Sequence, residues 1–154
     1  MGDFSAATKN LKTIKEEIHE MSKTGLPIFG ICLGLQLLFR KSEEGEGEGL
    51  GLLEGRNLQL PNSVKVPHMG WNTICILAQN KLLEGLEDEP YFYFAHSYYP
   101  APVDKSIVCA ETNYGVTFSS VIAQKNICGT QFHPEKSGKQ GLKILENLFN
   151  FVKR

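Results

Sequence analysis

An α/β fold is encoded by this chain, and three features point to it. Residues 1–40 run helix, short apolar strand, glycine-bounded turn and helix. From about residue 50 to 130 the texture is that of strands punctuated by Gly, Asn and Pro. The last segment returns to an amphipathic helix.

The elements follow in order. Phe4, Ala7, Leu11, Ile14, Ile18 and Met21 recur at three- and four-residue steps and predict a helix over 4–22. Lys12, Lys15, Glu16, Glu17 and Glu20 lie mostly off its apolar face. Asp3 or Ser5 can cap its start, and Thr24-Gly25 can end it. Leu26-Pro27-Ile28-Phe29-Gly30-Ile31 is short and apolar, as a buried parallel-type strand is. A second helix is predicted over 33–41, and Ser42 to Gly49 is an acidic, glycine-rich loop. Strands are predicted over 50–60, 73–77, 91–98, 107–112, 116–124 and 127–132. Lys125-Asn126 fits a tight hairpin turn. Leu142, Leu145, Leu148, Phe149 and Val152 share a face and place the closing helix over 138–152. The expected architecture is a mixed sheet flanked by these helices, in a single domain over 1–154.

Composition narrows the function. The chain has 154 residues and a net charge of −1, with no basic footprint for nucleic acid. Hydrophobic residues make up 42% and charged residues 21%, which excludes wholesale disorder. No apolar run reaches the length of a membrane span. The start, Met1-Gly2-Asp3-Phe4, lacks the features of a signal peptide, so reduced thiols in a cytoplasm are expected. The cysteines, at 32, 75, 109 and 128, contain no C-x-x-C pair, so a zinc site of ordinary spacing is not expected.

Two segments carry chemistry. Gly30-Ile31-Cys32-Leu33-Gly34 places a cysteine at a strand-to-helix turn, the nucleophile-elbow arrangement with sulfur in place of oxygen. Free backbone N–H groups at the helix start favour a thiolate there. A core cysteine between strand and helix is the competing reading, and the flanking glycines bring the two level. His133 closes an apolar strand in Gly129-Thr130-Gln131-Phe132-His133-Pro134-Glu135. In an extended segment residues i and i+2 face the same way, ~6.6 Å apart, so Glu135 can hold one ring nitrogen of His133. That is the base-plus-orienter half of a Cys-His-acid triad. Taken alone, His-Pro-Glu also fits a surface turn. His19 is expected in solvent on the first helix, and Cys75, Cys109 and Cys128 are expected to be structural cysteines of apolar strands.

Gly30–Gln36 together with His133-Pro134-Glu135 resembles the class I, or triad, glutamine amidotransferases. Three further segments are Pro67-His68-Met69-Gly70-Trp71-Asn72, His96-Ser97-Tyr98-Tyr99 and the stretch from Gly129 to Gly138. Within the family they are similar to the glutaminase subunits of imidazole glycerol phosphate synthases. The resemblance covers essentially the whole chain, with the motifs in order.

The resemblance implies a flavodoxin-like amidotransferase fold and a role for each matching residue. Cys32 would attack the glutamine side-chain amide, His133 would move the proton, and Glu135 would orient the imidazole. Gln36, Glu44, His96, Ser97 and Tyr98 would bind glutamine. The Leu33 N–H and Gly2 would serve the oxyanion. Trp71, Asn72, Tyr93 and Lys136 would face the synthase (cyclase) subunit, the partner in a heterodimer. The ammonia would pass to that subunit in histidine biosynthesis, with no metal or organic cofactor. Relative to the family the chain reads as N-terminally truncated: several strands, a helix and most of the oxyanion turn would precede it. Its elbow strand would then carry an open edge. Two other readings follow from the same residues: a subunit that docks on the synthase without hydrolysing glutamine, and a triad amidotransferase serving another synthase.

Overall fold

The computed structural model describes residues 3–153. Its helices are α1 (Phe4–Leu11), α2 (Lys15–Lys23), α3 (Leu33–Leu37) and α4 (Gly138–Val152). Its strands are β1 (Ile28–Ile31), β2 (Phe39–Ser42), β3 (Leu53–Gln59), β4 (His68–Thr73), β5 (Cys75–Ile76) and β6 (Tyr91–His96). They continue with β7 (Tyr98–Pro102), β8 (Val108–Asn113), β9 (Thr117–Gln124) and β10 (Ile127–Thr130).

The strands form three sheets, in the orders β1-β10-β9-β8-β5, β2-β3-β7 and β4-β6. The pairs β1–β10 and β2–β3 are parallel and the others antiparallel, so the expected mixed character holds. Among the described residues β1 is the outer strand of its sheet. Beside it lies an apolar hollow lined in part by Leu11, Ile18, Met21, Leu26 and Leu37. No helix among the described residues is long and apolar enough to cross a membrane.

Three expectations are corrected. The helix over 4–22 is two helices, broken at Lys12–Ile14. Asn10 and Thr13 are weak helix formers, and the Thr13 hydroxyl donates to the Asn10 carbonyl at 3.5 Å, diverting a group the ladder needs. Ile14 is left exposed instead of joining the apolar face. The helix over 33–41 ends at Leu37, because the carbonyls of Leu37 and Leu38 are taken by the N–H groups of Leu50, Leu52 and Leu53. Phe39 is thereby drawn into β2 beside Leu53. Gly49 lets the two chains meet there: a Cβ on it would lie 2.0 Å from the Phe39 carbonyl oxygen. The strand over 73–77 is displaced, with β4 beginning at His68 and Cys75 exposed on the short β5.

Other expectations are met. Asp3 caps α1, its carboxylate accepting from the Ala6 N–H at 3.0 Å. Gln124 pairs with Ile127, so Lys125-Asn126 is a two-residue turn, with Lys125 at φ 54° as a primed turn requires. The core under β6 holds Phe92, Phe94, Phe118 and Phe132, each at most 2% exposed. Burying each of these rings contributes about 1.5–3 kcal/mol, and together they pack β6 against β9 and the segment that follows β10.

Candidate active site

Cys32 stands between β1 and α3 at φ 51°, ψ −107°, a conformation that strains any residue with a Cβ. Its N–H donates to the Thr130 carbonyl at 2.8 Å, which anchors the elbow to β10. Only one of the two flanking glycines is required. A Cβ on Gly30 would sit 2.5 Å from the Gly34 carbonyl and the Leu35 nitrogen, whereas a Cβ on Gly34 would meet nothing within 4 Å.

The sulfur is caught between a donor and an acceptor. Its S–H donates to the Ala95 carbonyl at 3.7 Å, and the Gln131 side-chain amide donates to it at 3.6 Å. Burial pushes the Cys32 thiol up to about 11, against a weaker opposing pull from the Leu33 N–H. The Glu135 and Glu44 carboxylates push in the same direction as burial. The expected thiolate is therefore corrected: α3 is only five residues long, and its dipole does not outweigh desolvation.

His133 and Glu135 meet as expected, by a different route. Their segment is not extended. His133 starts a short 3₁₀ turn over Pro134–Lys136, which brings Glu135 Oε1 to 2.7 Å from His133 Nδ1. A carboxylate only accepts, so Nδ1 carries the proton and Nε2 is free to receive one. The backbone holds the ring's base in place: the His133 N–H donates to the Tyr93 carbonyl at 2.9 Å. The Ser137 hydroxyl donates to the His133 carbonyl and accepts from the Tyr93 N–H.

Two openings flank the nucleophile. A small cavity of about 40 Å³ is lined by Cys32, Leu33, Gln36, Glu44, Ala95, His96, Ser97 and Tyr98, so every residue expected to bind glutamine reaches it. A wider hollow of about 390 Å³ on the other side is lined by Cys32, Leu33, Met69, Tyr93, His133 and Lys136, among others. Cys32 and His133 share that hollow, although the sulfur's hydrogen bonds go to Ala95 and Gln131 and not to the imidazole. Such contacts commonly tighten only once substrate is bound. Gly2 lies outside the described residues. Glu44 accepts from the Phe4 N–H at 3.1 Å, and burial raises its carboxyl above the usual range.

The four residues expected to meet a partner divide. Trp71 is 56% exposed and packs edge-on against Tyr93 across the β4–β6 pair. Lys136 borders the hollow. Asn72 turns inward, its amide reaching His68 Nε2 at 3.3 Å and the Asn113 carbonyl at 3.0 Å. Among the described residues no three His, Cys, Asp or Glu side chains converge as metal ligands would. His19 is corrected from a solvated residue: its Nε2 lies 2.6 Å from the Leu50 carbonyl.

Comparison with known proteins shows the family. The family model for glutamine amidotransferase class-I matches residues 2–152. The chain belongs to the class I glutamine amidotransferases. Among curated members of the family, imidazole glycerol phosphate synthase subunit HisH of Methanocaldococcus jannaschii is 47% identical over 153 residues. The match spans 99% of this chain and 78% of that one. Its counterpart in Aquifex aeolicus is 48% identical, over 96% of this chain and 72% of that one. In fold the chain resembles the PurLQS structure from Thermotoga maritima, with a TM-score of 0.69 at 22% identity, over 90% of this chain and 68% of that one. A glutamine amidotransferase of Thermotoga maritima gives 0.68 at 19% identity, over 99% of this chain and 60% of that one.

Reading the sequence missed two contacts at the candidate site. Gln131 touches the sulfur, and its signal was a polar amide at the end of an otherwise apolar strand, inside the His133 motif. His68 pairs with His96, which no local pattern announces.

Proposed function

We propose that the chain is the glutaminase subunit of an imidazole glycerol phosphate synthase. It hydrolyses glutamine to glutamate and ammonia and passes the ammonia to a synthase (cyclase) subunit in a heterodimer, in the histidine pathway. The observation that carries this reading is the shared hollow: Cys32 and a His133 already oriented by Glu135 both face it, and the glutamine-side residues line the cavity behind the sulfur.

The chemistry proceeds as a thiol acyl transfer. His133 Nε2 takes the Cys32 proton as the sulfur bonds to the side-chain amide carbon of glutamine. The oxyanion forms beside the Leu33 N–H, next to the nucleophile. The C–N bond then breaks, the imidazolium returns its proton to nitrogen, and ammonia leaves. A glutamyl thioester remains. His133 next draws a proton from water as it attacks, the C–S bond breaks, and glutamate and the thiol are released. Burial disfavours a resting thiolate, so proton removal by His133 is coupled to attack in this reading.

Gln36, Glu44, Ser97 and the Tyr98 main chain hold the substrate on one side. Ammonia exits through the wider hollow toward Tyr93, Lys136 and the exposed Trp71, where the partner docks. Four free cysteines suit a reducing compartment such as the cytoplasm.

The test is glutamate and ammonia release from glutamine, by the chain alone and with a synthase subunit and its nucleotide ligand. Partner-dependent release that disappears in Cys32→Ala is expected. Release that persists in Cys32→Ala overturns the mechanism. Binding to the synthase without any release overturns the glutaminase reading and leaves a docking subunit. Stimulation by a different synthase only would assign the chain to another triad amidotransferase.

A further inference from the structure

We propose that Gln131 is a catalytic residue of this site: its side-chain amide donates to the Cys32 sulfur and stabilises it as negative charge develops there. The inference deepens the glutaminase reading above and rests on it for the reaction the sulfur performs.

The direction of the contact is forced by the main chain. The Tyr98 carbonyl can only accept, and Gln36 Nε2 lies 2.7 Å from it, so Gln36 must present its NH₂ group there. The other hydrogen of that NH₂ group goes to Gln131, 3.1 Å away, so Gln131 must present Oε1 to Gln36. That leaves Gln131 Nε2, with its two N–H donors, for the sulfur at 3.6 Å. Flipping Gln131 would set oxygen against sulfur and NH₂ against NH₂. Gln131 has no room to turn, being 0% exposed, with its own N–H bound to the Ser120 carbonyl at 2.9 Å.

The arrangement is selective for charge. In the thiol the S–H donates to the Ala95 carbonyl, a contact the anion loses. The Gln131 contact persists and strengthens, since hydrogen bonds to an ionised acceptor are roughly twice as strong as neutral ones. No other described side chain donates to the sulfur. The titratable groups around it are Tyr93, His133 and Lys136 in the hollow, His96 and Tyr98 in the cavity, and the Glu135 and Glu44 carboxylates, which oppose ionisation. Gln131 supplies a neutral donor in direct contact with the sulfur.

The experiment reads the thiol directly, without glutamine. Iodoacetamide alkylation of Cys32 is followed by peptide mass spectrometry across pH in the full chain, in Gln131→Met and in Gln131→Glu. The exposed Cys75 serves as internal control. Gln131→Met should raise the apparent Cys32 pKa by roughly 1 unit, slowing alkylation about tenfold at a given lower pH. Gln131→Glu should raise it further, and Cys75 should not move. An unchanged Cys32 profile in either folded variant overturns the proposal. In the ¹⁵N-labelled native chain, which needs no variant, the Gln131 amide resonance should move with the Cys32 titration, and a stationary resonance equally overturns it. Because alkylation needs no turnover, a chain that releases no glutamate would sink the glutaminase reading while leaving this contact to stand or fall by its own profile.

Discussion

His68 Nδ1 lies 3.0 Å from His96 Nε2, across the paired strands β4 and β6, and both rings are at most 3% exposed. His96 Nδ1 faces the Tyr98 carbonyl at 2.9 Å, so it carries its proton there and accepts from His68 at Nε2. His68 in turn accepts from Asn72 at its other nitrogen. The pair is satisfied only when both rings are neutral. Burial lowers His68 to about 4 and His96 to about 3, the neighbouring ring adding to the effect on His96.

A stability profile follows from that pair. Unfolded, both histidines titrate near 6.5. Below that pH the unfolded chain binds protons that the folded chain refuses. Stability is therefore complete above pH 6.5 and falls as the pH drops toward 4, by at most about 1.4 kcal/mol per pH unit per histidine. Urea unfolding at pH 7 and pH 5 should show the loss, and His68→Gln should remove about half of its slope. Equal stability at both pH values would contradict the neutral pair.

The two elbow glycines should behave differently. Gly30→Ala places a Cβ into the backbone of α3 and should destabilise the chain by about 1–3 kcal/mol or more. Gly34→Ala has open space in a helix and should be neutral or stabilising by about 0.5–1 kcal/mol. Urea midpoints of the two variants decide it.

At pH 7, resting Cys32 should react with iodoacetamide more slowly than Cys75. Burial holds the Cys32 proton on, while Cys75 is exposed. Faster labelling of Cys32 in the absence of substrate would show that the thiolate is preformed.

Glu135→Ala removes the acceptor that keeps Nδ1 protonated. The carboxylate is partly exposed, at 44%, so water can replace part of its work. Glutamine turnover should fall by roughly 10²–10⁴-fold in kcat, with KM little changed. Initial rates of glutamate release measure it, and a rate within threefold of the native chain would remove Glu135 from the machinery.

Much of the site was legible because its signals are local. A glycine three atoms of backbone from a nucleophile, or an acid two residues beyond a histidine, leaves a short pattern in the chain. Cys32, His133 and Glu135 were singled out that way, and α4 and the Lys125-Asn126 turn were found by the same kind of signal. Even there, the acid reached its histidine through a 3₁₀ turn and not through an extended segment.

The contacts that span the fold left no such mark. Gln131 lies 99 residues from the sulfur it touches, and His68 lies 28 residues from His96. Helix periodicity over 4–22 and 33–41 was real, yet competing hydrogen bonds ended both early, from Thr13 in one case and from Leu50, Leu52 and Leu53 in the other. The protonation of Cys32 turned the same way. A helix start argues for thiolate, but desolvation is a property of everything packed around the sulfur. Residue order therefore specifies which groups carry chemistry and how neighbours along the chain face one another. Burial, and the identity of each distant donor and acceptor, arise only when strands such as β1 and β10 pair and enclose them.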